Sequence, residues 1–340
     1  MVLAEQLSRM KEQMMVSHET IKDVLRNWKL ENEKLTDVVY DANGNVSESV
    51  CYVGEKYVIK FSSNLREVEN HISVSLAIES VGLIAATPIK TIAGEYVFVK
   101  DELFFYVTKR LAGKTIKANT INIEDYVPKA QLISKIIGQL SVALAKVDTI
   151  ANHANILKSA KEWAIPVLME KLDLPKCFLE MYEEEFAQRY ESLPQQIIHR
   201  DPNPGNIILC DDNWGVLDFE LSERNVRIFD PCYAATAILS ENFEPDNVDK
   251  LKTWIMIYKN IIYGYDEVVK LSGNEWNAIP YVVITNQLIS TAWFSEQEKY
   301  QELYAVNKKM VEWMIHNFDD IKFEKTSSIN LSLSNCLPLH

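Results

Sequence analysis

A chain of 340 residues with 48 acidic and 35 basic side chains carries a formal charge of −13, spread along its length. That balance argues against a nucleic acid or an anionic membrane as partner, since both select basic patches. Hydrophobic residues at 47%, charged residues at 24% and only 10 glycines describe a globular chain with core for one large domain or two modest ones, leaning towards helix rather than an all-β build.

The five cysteines, Cys51, Cys177, Cys210, Cys232 and Cys336, are scattered and never form C-x-x-C. Zinc ribbons and disulfide frameworks are poor readings of that pattern, and a reducing compartment is the simplest expectation. The first residues carry charges throughout without a signal-peptide core, and no run approaches the roughly 18 apolar residues of a membrane span. The chain is expected to be cytoplasmic.

Residues 1–30 read helical, with Ser17 as a cap for the segment SHETIKDVLRNWKL. After Leu35 the pattern turns to strands: LTDVVY, a polar loop, SVCYV, a turn at Gly54, and KYVIKF. One helix follows, LREVENHISVSLAIESV, then two more strands, EYVFV and LFFYVTKRL. From Ala112 on the chain is mainly helical, as in AQLISKIIGQLSVALAKV and VDKLKTWIMIYKNIIYGY. This order predicts an α+β fold of two lobes: a small antiparallel sheet with one helix over 1–109, a large mainly helical lobe over 110–325, and a loose tail over 326–340.

The helical pattern is interrupted once, by IIHRDPNPGNIIL over 197–209 and VLDFE over 216–220. The two apolar runs around a Pro/Gly/Asn cluster read as two buried strands joined by a tight loop. Asp201 and Asn206 are five apart, and Asp218 lies twelve beyond Asn206. That is the spacing of the H-R-D-x-x-x-x-N loop and the following D-F-x turn of kinases. Phosphoryl transfer needs a carboxylate to orient a hydroxyl and oxygen ligands to hold a hard divalent cation. Asp201 is assigned as base, and Asn206 and Asp218 as Mg²⁺ ligands. The plainer reading is a hairpin with Asx turns, for which Asp and Asn are good residues anyway.

The stretch from Pro194 to Tyr233, with its HRDPNPGN loop, DFE turn and Asp230-Pro231 pair, resembles the aminoglycoside phosphotransferase and choline kinase group, small-molecule kinases built on the protein-kinase fold. The resemblance implies a bilobal fold, a nucleotide (ATP, or alternatively GTP), Mg²⁺ and a small-molecule acceptor hydroxyl. In YVIK, Lys60 stands where the phosphate-binding lysine would, and strand alternation puts Val58 on its face as an adenine wall. The lysine is expected to pair with a glutamate of the next helix. Glu69 is preferred over Glu67 because Glu69, Ile72 and Leu76 share one helical face. The glycine-rich loop is replaced by NGNVSES, where Ser47, Ser49 and backbone amides would meet phosphate. The hinge falls near Thr108 to Leu111, around the adenine.

Asn203 stands where a protein serine/threonine kinase usually carries lysine, and eleven residues between Asp218 and Asp230 leave no room for an activation segment. Arg200, where the small-molecule group often has glycine, is expected to pair with Glu220 or Asp230. Glu220 either approaches the metal or only shapes the turn. The late stretch IPYVVITNQLISTAWFSEQEKYQELY offers aromatics and amides for an acceptor site, though such residues serve equally as core, and the acidic run Glu183–Glu185 would suit a cationic acceptor. Homoserine, choline or ethanolamine, a methylthio-sugar, an aminoglycoside and a hexosamine all remain open as acceptors. A protein kinase of this fold and a nucleotide-binding pseudokinase are the competing readings.

Overall fold

The computed structural model describes residues 16–39, 46–118, 125–147, 152–210 and 213–323. The helix expected over the first fifteen residues, the polar loop at 40–45 and the tail over 326–340 lie outside them. Among the described residues no helix is long and apolar enough to cross a membrane.

Helix α1 (His18–Leu25) starts where Ser17 Oγ accepts the amide of Thr20 at 3.1 Å. That bond satisfies one of the amides a helix start leaves open. Ile21, Val24 and Leu25 form its buried face, and Trp28 just beyond donates to the Ile89 carbonyl at 3.0 Å. They lie on an antiparallel sheet in the order β1 (Leu35–Val39), β2 (Val46–Val53), β3 (Tyr57–Ser62), β7 (Leu103–Lys109), β5 (Pro88–Ile89), with β6 (Phe98–Lys100) also on β7. The first core joins Ile21, Val24 and Leu25 to Ile59, Phe61, Phe105 and Val107 of the sheet. Residue β3 Lys60 faces Tyr106 of β7, and Val58 faces Thr108.

Helix α2 (Leu65–Ser80), capped by Asn64, lies after β3. Its buried positions are Val68, Asn70, His71, Val74, Ser75 and Ile78, so the inward face is turned away from the one built on Glu69. Val74 and Ile78 share a core with Leu140, Leu144, Ile197, Val216 and Phe219, which welds this helix to the second half of the chain.

The second half is mainly helical, as the sequence implied. Helices α3 (Tyr126–Leu144) and α7 (Val248–Val269) approach closely enough that a Cβ on Gly264 would come within 2.1 Å of Ser134 Oγ. Helical runs α4 (156–169) and α5 (176–190) each contain a π-helical turn, at Ala160–Ala164 and Tyr182–Ala187. Helices α6 (Phe229–Asn242), α8 (Gly273–Ser295) and α9 (Gln301–His316) complete it, with α8 started by a full capping box of Ser272 and Glu275.

The strands around the acidic loop depart from the simple hairpin. Strand β10 (Gln195–Ile198) pairs with β13 (Glu223–Val226), which also pairs with the short β9 (Asn152–His153). Strand β11 (Ile207–Cys210) pairs instead with β12 (Asn213–Val216), and this hairpin is flanked by β8 (Lys114–Thr115) and β4 (Ile84–Ala85). The HRDPNPGN segment therefore joins two different sheets. Local apolar runs predict strands but not their partners, because pairing is a long-range choice.

Candidate active site

The loop between β10 and β11 is built around Asp230, the first-turn acid of α6. Its Oδ2 accepts the amide of His199 at 2.9 Å and its Oδ1 the amide of Arg200 at 3.0 Å. Burial pushes this carboxyl up to about 6, against the pull of His199, of the two amides and of Arg200. Arg200 adopts φ +78°, a left-handed conformation that glycine takes without cost. The Arg200 side chain corrects the expectation: Nε pairs with Glu223 Oε1 at 2.8 Å, on β13, and the guanidinium lies over the Phe229 ring at 4.9 Å. The sequence-proposed acid Glu220 is engaged elsewhere, and Asp230 takes the Arg200 amide rather than its side chain.

Asp201 follows. Asn203 Nδ2 donates to its Oδ1 at 2.9 Å and Asn206 Nδ2 to its Oδ2 at 3.0 Å, while Tyr233 on α6 also bonds it. Burial raises the Asp201 carboxyl despite Asn203, His199 and Tyr233, which favour its charged form. Asn206 donates a second bond, to the Asp201 carbonyl at 2.9 Å, so its amide oxygen is outside both. The Asn206 carbonyl accepts the Leu217 amide at 2.9 Å, which draws the next residue, Asp218, to the same place.

Asp218 also has positive φ, +62°. Such a conformation in a non-glycine residue costs energy and persists where the surroundings hold it. Phe219 behind it is fully buried between the rings of His199 and His71, at centroid distances of 4.9 and 6.3 Å. The two histidines are wired alike. His199 pairs Nε2 with the Leu217 carbonyl (2.8 Å) and Nδ1 with the Asp201 amide (3.3 Å). His71 pairs Nε2 with the Ala86 carbonyl (3.1 Å) and Nδ1 with the Phe219 amide (3.3 Å). Both patterns call for a neutral ring with the proton on Nε2. Burial, helped by Lys60, drops His71 to about 3.

Lys60 reaches this turn from the sheet. Its Nζ lies 2.9 Å from Asp218 Oδ1 and 2.8 Å from Glu220 Oε1. Burial opposes a charged ammonium, but the two carboxylates more than offset it and raise the lysine. Burial likewise opposes the charge on Asp218, and Lys60 overcomes it, holding that carboxyl below the ordinary range.

Lys60, Asn206 and Asp218 line one cleft of about 850 Å³, together with Val58, Thr108 and Leu111. Thus the strand, hinge and acid positions singled out in the sequence converge, and Asp201 is tied to them through Asn206. Three positions behave otherwise. Glu69 is exposed and makes no pair with Lys60. The alternative, Glu67, is half-buried but accepts from Ser62 Oγ (3.1 Å) and Asn64 Nδ2 (2.9 Å). Ser47 Oγ accepts the Ser49 amide at 3.4 Å, and neither serine is among the described residues lining the cleft. Tyr106, His71, Tyr233 and Glu223 were missed by sequence reasoning. Only Tyr106 had a signal available, as a polar aromatic on strand β7, and its register opposite Lys60 is a tertiary fact.

The oxygen donors fit a hard cation: Asn206, whose two side-chain bonds are made by Nδ2 and leave its amide oxygen out of them, and Asp218, a carboxylate, both line the cleft. His71, Asp218 and Glu220 also converge within 4.8 Å. Both His71 nitrogens are already committed, however, and the Lys60 ammonium supplies the positive charge there. The acidic run of the second half is partly structural, since Glu183 pairs with Lys161 and Glu185 accepts from Tyr281. Tyr281, Tyr182 and Phe186 are buried together as core.

No curated protein matches this sequence. Among solved structures, an amicoumacin kinase, hAmiN, in complex with AMP-PNP, Ca²⁺ and Ami is similar with a TM-score of 0.63 at 14% identity, covering 91% of this chain and 95% of that one. A microcompartment-associated aminopropanol kinase gives 0.62 at 14% identity, covering 90% and 99%. The GDP complex of aminoglycoside 2′-phosphotransferase-IIIa gives 0.62 at 12%, covering 88% and 98%. These are likenesses of fold, and they show the bilobal kinase-like architecture. The model of the phosphotransferase enzyme family (APH) matches residues 41–254, well over half of the sequence, and the chain belongs to that family.

Proposed function

We propose that this phosphotransferase uses ATP and Mg²⁺ to move the γ-phosphoryl group to a hydroxyl of a small molecule, an amino alcohol, homoserine-like compound, sugar or aminoglycoside. The observation that carries the reading is the run of bonds from Lys60 to Asp218, from the adjacent Leu217 amide to the Asn206 carbonyl, and from the Asn206 side chain to Asp201, with Lys60, Asn206 and Asp218 lining one cleft. A nucleotide lies between the lobes, its base against Val58, Thr108 and Leu111 and its phosphates at Lys60. Asn206 and Asp218 hold the cation, which when bound neutralises charge on the transferring phosphoryl group. Asp201 orients the acceptor hydroxyl and takes its proton. Burial moves its carboxyl upward, towards the working pH of a general base. AMP-PNP with Ca²⁺ in one solved neighbour and GDP in another support a nucleotide and a divalent ion as cofactors. Asn203 on Asp201 Oδ1, where protein kinases carry lysine, supports a small acceptor over a protein.

The test is ADP formation from Mg·ATP with a panel of amino alcohols, sugars and aminoglycosides, for the parent and for Asp201→Asn. Turnover on the best acceptor is expected to drop about 10²- to 10⁴-fold in the variant while calorimetric Mg·ATP affinity holds. Undiminished turnover would remove Asp201 from the role.

A further inference from the structure

We infer that Glu220, rather than a glutamate of helix α2, is the positioning residue for Lys60, and that Tyr106 holds Glu220 in place. The inference rests on the kinase reading above. Lys60 and Tyr106 are direct partners across β3 and β7, so their side chains leave the sheet on the same face. Both end on one atom: Lys60 Nζ is 2.8 Å from Glu220 Oε1, and the Tyr106 hydroxyl donates to that oxygen. Tyr106 is 1% exposed, so its hydroxyl needs this partner.

Lys60 pairs with Asp218 and Glu220, and no carboxylate of helix α2 pairs with it. Glu69 is exposed, Glu67 is turned to Ser62 and Asn64 at the helix start, and Glu79 pairs with Lys109. The helix instead grips the backbone of the acidic turn. Asn70 Nδ2 donates to the carbonyls of Glu220 (3.2 Å) and Ser222, and His71 accepts from the Phe219 amide. Glu220 is thereby fixed at its main chain by α2 and at its carboxylate by Tyr106.

This arrangement resolves a conflict at Asp218. One of its oxygens holds Lys60, and the same carboxylate is a cation ligand in the kinase reading. A divalent ion there competes with the ammonium for negative charge. Glu220 gives Lys60 a second anchor that the ion does not claim.

The test is a mutant cycle read by calorimetry of Mg·ATP binding, with thermal unfolding as a folding control. Glu220→Gln keeps the volume and the acceptor for Tyr106 while removing the charge. It is expected to weaken Mg·ATP about 10-fold, the usual effect of losing one buried charge-assisted bond. Glu67→Gln should stay within about 2-fold. In a Lys60→Met background Glu220→Gln should add nothing further, because a residue acting through another loses its effect when that other is gone.

Persistence of the full loss in the Lys60→Met background would overturn the inference and make Glu220 a metal ligand. A larger effect from Glu67→Gln would also overturn it. If Glu220→Gln does not fold, Tyr106→Phe takes its place in the same cycle, and additivity with Lys60→Met counts against the inference. A parent chain that binds no Mg·ATP would instead refute the kinase reading itself.

Discussion

At the scale of single residues, Asp230 shows how one buried acid organises a loop. Two consecutive amides, of His199 and Arg200, point at its two oxygens, which forces the chain into the positive φ at Arg200 and turns Asp201 towards Asn206. The carboxyl sits at about 6 because burial outweighs those donors. Its folded value is therefore raised, so the folded chain keeps a proton between about pH 4 and 6 that the unfolded chain releases. The stability this supplies is full below pH 4 and lost as pH rises through 6. His71, lowered to about 3, runs the other way, losing its contribution as pH falls below about 6.5. The useful measurement is hence the difference between Asp230→Asn and its parent in urea unfolding. The parent's stability relative to the variant should fall by on the order of 3 kcal/mol between pH 4 and pH 7. A constant difference across that range would place the Asp230 proton elsewhere.

At the scale of elements, the join between sheet and helices is made by strands of two residues, too short for propensity to reveal. Strand β8 is two residues long and pairs with β11, the strand that follows the acidic loop. Gly113 immediately before it has φ +151°, and a Cβ there would lie 2.2 Å from the Leu209 carbonyl oxygen. That neighbour is backbone and cannot swing away. Gly113→Ala should therefore push β8 off β11, shift the wall of the cleft and weaken Mg·ATP binding along with stability, by about 1–3 kcal/mol in the latter. Calorimetry and thermal unfolding of the same sample report both, and an unchanged affinity would show that the cleft does not depend on this pairing. Helix α2 acts as an element in the same sense: its Asn70 and His71 hold the DFE turn, so the placement of Asp218 depends on a helix some 150 residues earlier.

At the scale of the whole molecule, the site exists only where the two halves meet. Lys60 comes from the sheet and Asp218 from the helical half, and their ion pair spans 158 positions of sequence. In the kinase reading a cation on Asp218 links the nucleotide to the lower half. Chelation of divalent metal should then weaken ATP binding to the parent by about 10-fold or more, whereas Asp218→Ala should bind ATP with the same low affinity with or without metal. A variant that kept the metal dependence would move the cation to other ligands.

What the sequence alone determined is local and chemical. The HRDPNPGN spacing, the DFE turn and the strand that carries Lys60 were legible, because each depends on residues close together in the chain. The family and the bilobal α+β architecture followed from those. The partners of the charged groups were not legible. Glu69 over Glu67 was a phase argument about one helix, and the structure turns that helix by burying Asn70, His71 and Val74. Arg200 found Glu223, and Lys60 found Glu220, because the pairing of β10 with β13 and the hold of Asn70 on the DFE turn bring those carboxylates near. Charge pairing in a folded chain is a matter of ångströms between distant segments, and only tertiary packing sets those.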